Sequence, residues 1–400
     1  MTMDITRRTM VAAGAATLAL PAILRAQPAA VKIGLIHPVT GALAYGGQLC
    51  RVGGQTAIED INAAGGLKSM GGAKLEALLG DAQGRPDIGA SLVDQMAEQG
   101  AAGFTGCFAS PIALAATQAA AKYSLPFCID SGIADSITAR GLKNVFRLFP
   151  TASATTTDAL VALDSINKKA GSPAKTAIIV HEDGEFGTNT AKLLAGKLES
   201  IGIKPLEMIP HATPTRDFSN IALRIKAAKP DLVIPTNYNN EYVLLARTLV
   251  QQKVELAGIF SVAGGGFNLR FAKEQPQVAE NIIDFNHWLN PRAPRAAAFR
   301  KQFDDKGATF GFEVLFGYFA VRFLADAMER AGSVGKERVV EALASSTYSD
   351  ALLPYGPTKI IDGQNQNAHA TALQVQGGDI RVVFPEQFAD ATVVFPRPKT

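Results

Sequence analysis

Cysteine is scarce in this chain: among 400 residues only Cys50, Cys107 and Cys128 occur. Three thiols are too few for a disulfide scaffold. Cys107 and Cys128 fall at the ends of successive predicted strands, which leaves two readings open. An exported protein can oxidise such a pair, or both can be buried thiols acting as small hydrophobes. Basic runs are missing as well. No five consecutive residues are Lys or Arg, and the formal charge is only +3, a balance that gives no support for a nucleic-acid partner. After the first 26 residues no stretch reaches 18 uninterrupted apolar residues, so no spanning helix is expected in the mature chain.

Signatures of chemistry are also absent. The chain has no Walker motif and no G-x-S-x-G elbow. His181-Glu182-Asp183 lacks the second histidine of H-E-x-x-H, and Gly264-Gly265-Gly266 lacks the G-x-G-x-x-G spacing. The five histidines, His37, His181, His211, His287 and His369, show no ligand spacing. No catalytic residue, metal or cofactor is therefore expected, although a Ser-His-Asp triad assembled in space stays open.

The N-terminus reads MTMDITRRTMVAAGAATLALPAILRAQ. Arg7-Arg8 precede an apolar, alanine-rich run from Met10 to Leu24, too short to span a membrane, and Leu24-Arg25-Ala26 suits cleavage. Residues 1–26 are read as an export signal. Thr6–Met10 resembles a twin-arginine signal, and an ordinary secretory signal holding two arginines is the other route. Its removal takes away Arg7, Arg8, Arg25 and Asp4, so +3 becomes about +1 in the mature chain. No cysteine stands at the cleavage site to carry a lipid.

The length suits two domains. Hydrophobic periodicity switches repeatedly between two and 3.6, the mark of an α/β chain. Strands are predicted at Val31–Ile36, Leu75–Leu79, Gly103–Gly106, Pro126–Ile129 and Val145–Leu148, with helices at Gly47–Ala63, Asp87–Glu98 and Pro111–Lys122. A second series follows Pro150, with strands at Thr176–His181, Glu207–Ile209, Leu232–Thr236 and Gly258–Val262. Its helices are predicted at Thr155–Lys169, Thr188–Ser200, Phe218–Ala228 and Asn240–Gln251. After Ile282–Phe285 three helices come in succession, Ala293–Lys306, Phe312–Ala331 and Lys336–Ala344, before β-like runs at Ala370–Val375 and Arg381–Phe384. The expected fold is therefore two doubly wound parallel-sheet lobes joined by three crossings, near Phe149–Pro150, Ile283–Asn286 and Tyr355–Gly356. The lobes are expected to comprise residues 27–149 plus 285–355 and residues 150–284 plus 356–400. Such lobes leave a crevice at the carboxyl ends of their strands, and several crossings make a hinge.

Four loops point into that crevice. Phe108-Ala109-Ser110-Pro111 follows a strand and opens a helix; Ser110 suits the N-cap and Pro111 the first helical position. Free N–H groups there favour a carboxylate, although simple capping needs no ligand. Asp130-Ser131-Gly132-Ile133 offers a hydroxyl and a glycine that permits close approach. The loop His181–Gly187 presents Phe186, and Asn237–Glu241 presents Tyr238. Each alone reads as ordinary turn chemistry; their shared position at strand ends is what distinguishes them.

VKIGLIHPVTGALAYGG at Val31–Gly47, AIEDINAAGGLK at Ala57–Lys68, Asp81 after the second strand, and Arg216–Ile234 together resemble one family. These motifs are similar to those of the periplasmic solute-binding proteins of ABC transporters, in the branched-chain amino-acid group, and the resemblance covers nearly the whole mature chain. It implies a type I periplasmic binding fold with a ligand cleft between lobes and no enzymatic activity. It places ligand contacts on Ser110, on Ser131 and Ile133, on Phe186, on Tyr238 and on Tyr45. Ile133 stands where threonine is frequent in the family, and Phe186 where tyrosine is frequent.

The family's acid that pairs a ligand ammonium falls near Ala263–Gly265, around Gly264. Here the loop reads SVAGGGFNL, with no Asp or Glu between Glu255 and Glu274. A buried ammonium without a countercharge is costly. Either Asp183, Glu185 or Glu241 substitutes, or the ligand has no ammonium. The favoured expectation is a small carboxylate, an organic or aromatic acid, delivered by a periplasmic monomer to an inner-membrane ABC permease. A branched-chain or other amino acid is the alternative ligand, and a sensor delivering ligand to a receptor is the alternative role.

Overall fold

The computed structural model describes residues 28–398; the export signal expected at 1–26 lies outside them. The strands of the first series are β1 (Val31–His37), β2 (Leu75–Asp81), β3 (Gly103–Gly106), β4 (Phe127–Ile129) and β5 (Val145–Arg147). Those of the second are β6 (Thr176–Glu182), β7 (Lys204–His211), β8 (Leu232–Thr236), β9 (Gly258–Val262) and β10 (Ile283–Asn286). The chain closes with β11 (Ile360–Ile361), β12 (Gln364–Asn365), β13 (Thr371–Gln376) and β14 (Asp379–Phe384).

These strands form two seven-stranded sheets, ordered β11-β12-β5-β4-β3-β1-β2 and β14-β13-β10-β9-β8-β6-β7. β1 pairs in parallel with both β2 and β3, with Ile33 opposite Ala77 and Gly103. The antiparallel pairs sit at one margin of each sheet, β11 on β12, and β13 on β10 and β14. The central strands are buried on both faces, which is why they are mostly apolar: β3, β4, β5, β8 and β9 are buried throughout. The two-lobe α/β fold expected from the period switching is the one observed.

The middle helices return to the first sheet, as the pattern suggested. Helix Phe312–Ala331 packs along helix Ala44–Ala63 and against β3 and β4. Glycine makes this crossing possible. A Cβ on Gly317 would lie 1.9 Å from the Cys50 carbonyl oxygen, and one on Gly53 2.1 Å from that of Val314. The two helices therefore touch backbone to backbone.

Two expectations are corrected. The third crossing does not fall at Tyr355–Gly356. β12 pairs with β5 and carries β11 at its other side, so the chain leaves the first sheet after Asn365. The cause is local: a turn at Asp362-Gly363, both at positive φ, folds β11 back on β12. The helix expected at Thr188–Ser200 is instead Glu185–Ala195, followed by a 3₁₀ turn at Leu198–Ile201. It starts early because the Glu182 carboxylate accepts from the backbone N–H groups of Gly184 and Gly187, satisfying donors that a helix start leaves free. No helix among the described residues is long and apolar enough to cross a membrane.

Candidate functional site

The carboxyl ends of β3, β4, β8 and β9 and the start of helix Phe312–Ala331 converge on a cavity of about 40 Å³. From the first sheet come Phe108, Ser110, Ser131 and Ile133. The second supplies Phe186, Tyr238, Ala263, Gly265 and Asn286. Phe312 and Phe316 complete the wall. A larger hollow of about 690 Å³ lies outside, between the Pro214–Arg216 loop and the helices bearing Arg247 and Arg270. It is an open groove on the second lobe that only Ala42 reaches from the first. The smaller cavity is where both sets of strand ends meet, and there a ligand is expected.

Five of the sequence-predicted residues, Ser110, Ser131, Ile133, Phe186 and Tyr238, are thus brought together. Tyr45 and Gly264 are not in the lining. The Tyr45 ring lies under the Arg270 guanidinium, 5.9 Å from its centroid, and its hydroxyl is buried without a partner. Gly264 sits behind the loop, where its N–H donates to Asp284 Oδ1 at 3.0 Å; its neighbours Ala263 and Gly265 form the wall instead. Nor does Ser110 cap its helix. The helix begins at Ser110 itself after Ala109, and Ser110 Oγ accepts from Ala134 N at 3.2 Å, tying the β3 loop to the β4 loop.

Asp130 organises both serine loops. Its carboxylate accepts from His37 Nε2 at 2.8 Å, from Phe108 N at 2.9 Å and from Ser131 N. Ser131 Oγ in turn donates to Phe108 O at 3.1 Å. Phe108 needs this anchorage because its φ is +64°, in the left-handed region. Ala263, opposite, has φ +52° and is held by its N–H to Phe285 O at 2.9 Å. Each such residue costs roughly 1–3 kcal/mol, and both stand in the cavity wall, where strain of this kind tends to collect. His37, Cys50 and Asp130 are the one group among the described residues whose donor atoms lie close enough for a metal, within 4.8 Å of one another. Asp130 is already engaged by three N–H groups, and burial pushes the Cys50 thiol well up, away from the thiolate that a metal needs. The trio is a hydrogen-bonded brace. All three cysteines are buried and free, so the thiol reading of Cys107 and Cys128 is the observed one.

The lining is mostly apolar and contains no Asp or Glu. None of the three acids proposed as substitutes faces the cavity. Asp183 is exposed, Glu185 accepts from Ser136 Oγ across the cleft at 2.8 Å, and Glu241 borders the outer hollow. Two further buried acids close to lining residues went unnoticed in the sequence: Asp284 and Glu313. Asp284 is fully buried and accepts from Ser261 Oγ at 2.6 Å, Gly264 N at 3.0 Å and Asn286 Nδ2 at 2.9 Å. Burial outweighs these bonds and pushes its carboxyl up to about 6. Glu313 lies between Phe312 and Phe316 in sequence, is fully buried, and neither carboxyl oxygen has a partner. Burial, with Asp284 adding to it, pushes it up to about 8. Nothing in the local pattern marks either acid, since each is a single charge inside an apolar run.

The lobes meet over the cavity. Tyr238 packs against Phe186 and Phe108, with ring centroids 5.2 and 5.9 Å away. Asn240 Nδ2 donates to Ala42 O at 3.3 Å, and Asn189 Nδ2 to Asp135 Oδ2 at 3.1 Å.

Comparison with known proteins bears on this arrangement. Residues 30–379 match the family model described as periplasmic binding protein. Leu/Ile/Val-binding protein homolog 7 of Brucella abortus (strain 2308) is 26% identical over 384 residues, covering 92% of this chain and 94% of the relative. Two solved structures share the fold. The branched-chain amino acid transporter substrate binding protein LivJ of Streptococcus pneumoniae, in complex with isoleucine, is 20% identical at a TM-score of 0.76, over 92% of this chain and all of that one. An ABC transporter solute binding protein of R. palustris, in complex with benzoate, is 19% identical at 0.78, over 88% of this chain and 95% of that one.

Proposed function

This chain belongs to the periplasmic binding protein family, and on that premise we propose that it binds a small carboxylate lacking an ammonium, an organic or aromatic acid, and delivers it to an ABC permease. The observation that carries the proposal is the lining: Ser110 and Ser131 face an apolar wall of Phe186, Tyr238, Phe312 and Phe316, with no acidic side chain in it. An ammonium buried there would lack a direct partner, at a cost of several kcal/mol. A carboxylate would meet hydroxyls and the free N–H groups where the helix starts at Ser110. The benzoate complex of the R. palustris protein is a precedent for such a ligand in this fold. In this reading the N-terminal signal is removed on export to the periplasm, the protein acts as a monomer, and the lobes close on the ligand without chemistry.

A branched-chain amino acid is the second reading, favoured by the naming of the Brucella relatives and by the isoleucine complex of LivJ. A thermal-shift screen separates the two. Ligand at about 100 times its Kd adds roughly 2.7 kcal/mol, which raises Tm by several degrees. Benzoate-like acids are expected to shift the melt. A shift with leucine, isoleucine or valine only would replace the first reading by the second.

A further inference from the structure

Glu313 is the acid whose surroundings the fold explains least. It stands in the first turn of helix Phe312–Ala331, fully buried, with both carboxyl oxygens unpartnered. Its neighbours in the helix, Phe312 and Phe316, line the cavity, while Glu313 itself is not in the lining. The titratable groups around it are all neutral or negative. Helix Ala44–Ala63 brings Tyr45 and Cys50, both raised in pKa partly by the Glu313 charge. β10 brings Asp284, whose charge opposes ionisation of Glu313. His287 packs on Phe316, ring centroids 5.0 Å apart, and burial keeps it neutral. Arg270, a basic group that also acts on Tyr45, lies over the Tyr45 ring and pairs with Glu274 at 2.9 Å.

We infer that Glu313 sets the charge that a ligand meets in this cleft: held as a neutral acid it tolerates a bound carboxylate, and ionised it opposes one. An unpartnered charge in a dry site is costly, and a second anion close by makes it costlier. A neutral carboxyl on the helix that carries the phenylalanines leaves the serines to bind an anion unopposed. Glu313 therefore acts through its field rather than by contact, as a residue that determines which ligand charge is accepted. The inference rests on the reading above that the ligand is a carboxylate without an ammonium.

The full chain and its Glu313→Gln variant would be titrated calorimetrically with benzoate at about pH 6.5 and about pH 9, where benzoate itself is ionised throughout. With the group titrating at about 8, the neutral fraction falls from near one to about a tenth, so wild-type affinity is expected to weaken about tenfold. The variant, always neutral, is expected to bind as the wild type does at the lower pH and to stay unchanged at the higher. Parallel pH profiles, or loss of binding by Glu313→Gln already at the lower pH, would overturn the inference. If benzoate binds at neither pH, the ligand reading fails, and a ¹³C carboxyl NMR titration of the ligand-free protein decides the charge of Glu313. A glutamate signal titrating near pH 8 and missing from the variant supports a neutral Glu313. Every glutamate titrating in the ordinary carboxylate range refutes it. Should the variant not fold, the wild-type spectrum still decides by the presence or absence of that signal.

Discussion

Tyr238 from the second lobe closes on Phe108 from the first, ring centroids 5.9 Å apart and planes tilted by 44°. Phe108 holds its left-handed backbone through Asp130, so the contact joins the second lobe to a braced loop of the first. Truncation at Tyr238→Ala removes this contact and the Phe186 packing with it. Each aromatic pair contributes about 0.5–1.5 kcal/mol beyond buried area. The variant is expected to favour the open arrangement, seen as a larger radius of gyration in solution scattering, and to bind the ligand found by the screen at least tenfold more weakly. An unchanged radius and affinity would show that Tyr238 does not hold the lobes together.

The two serines should separate stability from binding. Ser110→Ala leaves the buried Ala134 N–H without its acceptor, at roughly 1–3 kcal/mol, so both Tm and ligand affinity should fall. Ser131→Ala loses its donation to Phe108 O and a long contact with Cys50 Sγ, a net term of about 1 kcal/mol, so affinity should fall with a smaller change in Tm. Denaturation and calorimetry on the two variants provide the comparison, and equal Tm losses would contradict the assignment.

His287 should make the protein acid-sensitive. Its two ring nitrogens are buried and unpartnered among Phe149, Phe316 and Tyr355, and burial pushes its pKa down to about 3. Below about pH 6.5 the unfolded chain binds a proton there that the folded chain refuses, so stability falls with pH from about 6.5 towards 3. At pH 5 the loss is about 2 kcal/mol. His287→Phe is expected to remove it, raising Tm at pH 5 more than at pH 7. The two raised acids act in the opposite sense. Asp284 and Glu313 bind protons more tightly when folded, so the stability they contribute is present below pH 4 and is lost as pH rises through about 6 and about 8.

Backbone contact between helices leaves no room for a methyl group. Gly317→Ala and Gly53→Ala would each place Cβ on a carbonyl oxygen that cannot swing away. Overpacking of this kind costs about 1–3 kcal/mol or more. Both variants should melt lower than the wild type, and Gly356→Ala, whose Cβ meets nothing within 4 Å at an ordinary φ, is the control. Equal melting of all three would exclude the close crossing.

Much of the fold was legible because buried parallel strands and amphipathic helices differ in period. The predicted strands Gly103–Gly106, Leu232–Thr236 and Gly258–Val262 and the helix Phe312–Ala331 have the observed bounds. β11 and β12 were missed since two residues around an Asp362-Gly363 turn carry no period at all. In the cavity, strand-end loops pointed to Ser110, Ser131, Phe186 and Tyr238 because their position follows from topology, and the family resemblance added Ile133. Asp284 was hidden for the converse reason. It stands opposite Ser261 only through the β9–β10 register, and a carboxylate reaching Gly264 from a neighbouring strand leaves no trace in the loop itself. Phe312 and Phe316 likewise reach the cavity from a helix that looked like core alone.

In the proposed binding role, the bare-backbone seam between helices Ala44–Ala63 and Phe312–Ala331 would fix the order in which a ligand is recognised. Because Phe312 and Phe316 are keyed to the first lobe, they stay with Ser110 and Ser131 when the lobes part. An arriving molecule then finds half a site already assembled: hydroxyls for its head and a phenylalanine shelf for its body. Phe186, Tyr238, Ala263 and Gly265 arrive afterwards as a lid that inspects what the first half has taken. On that proposal capture and scrutiny fall to different lobes.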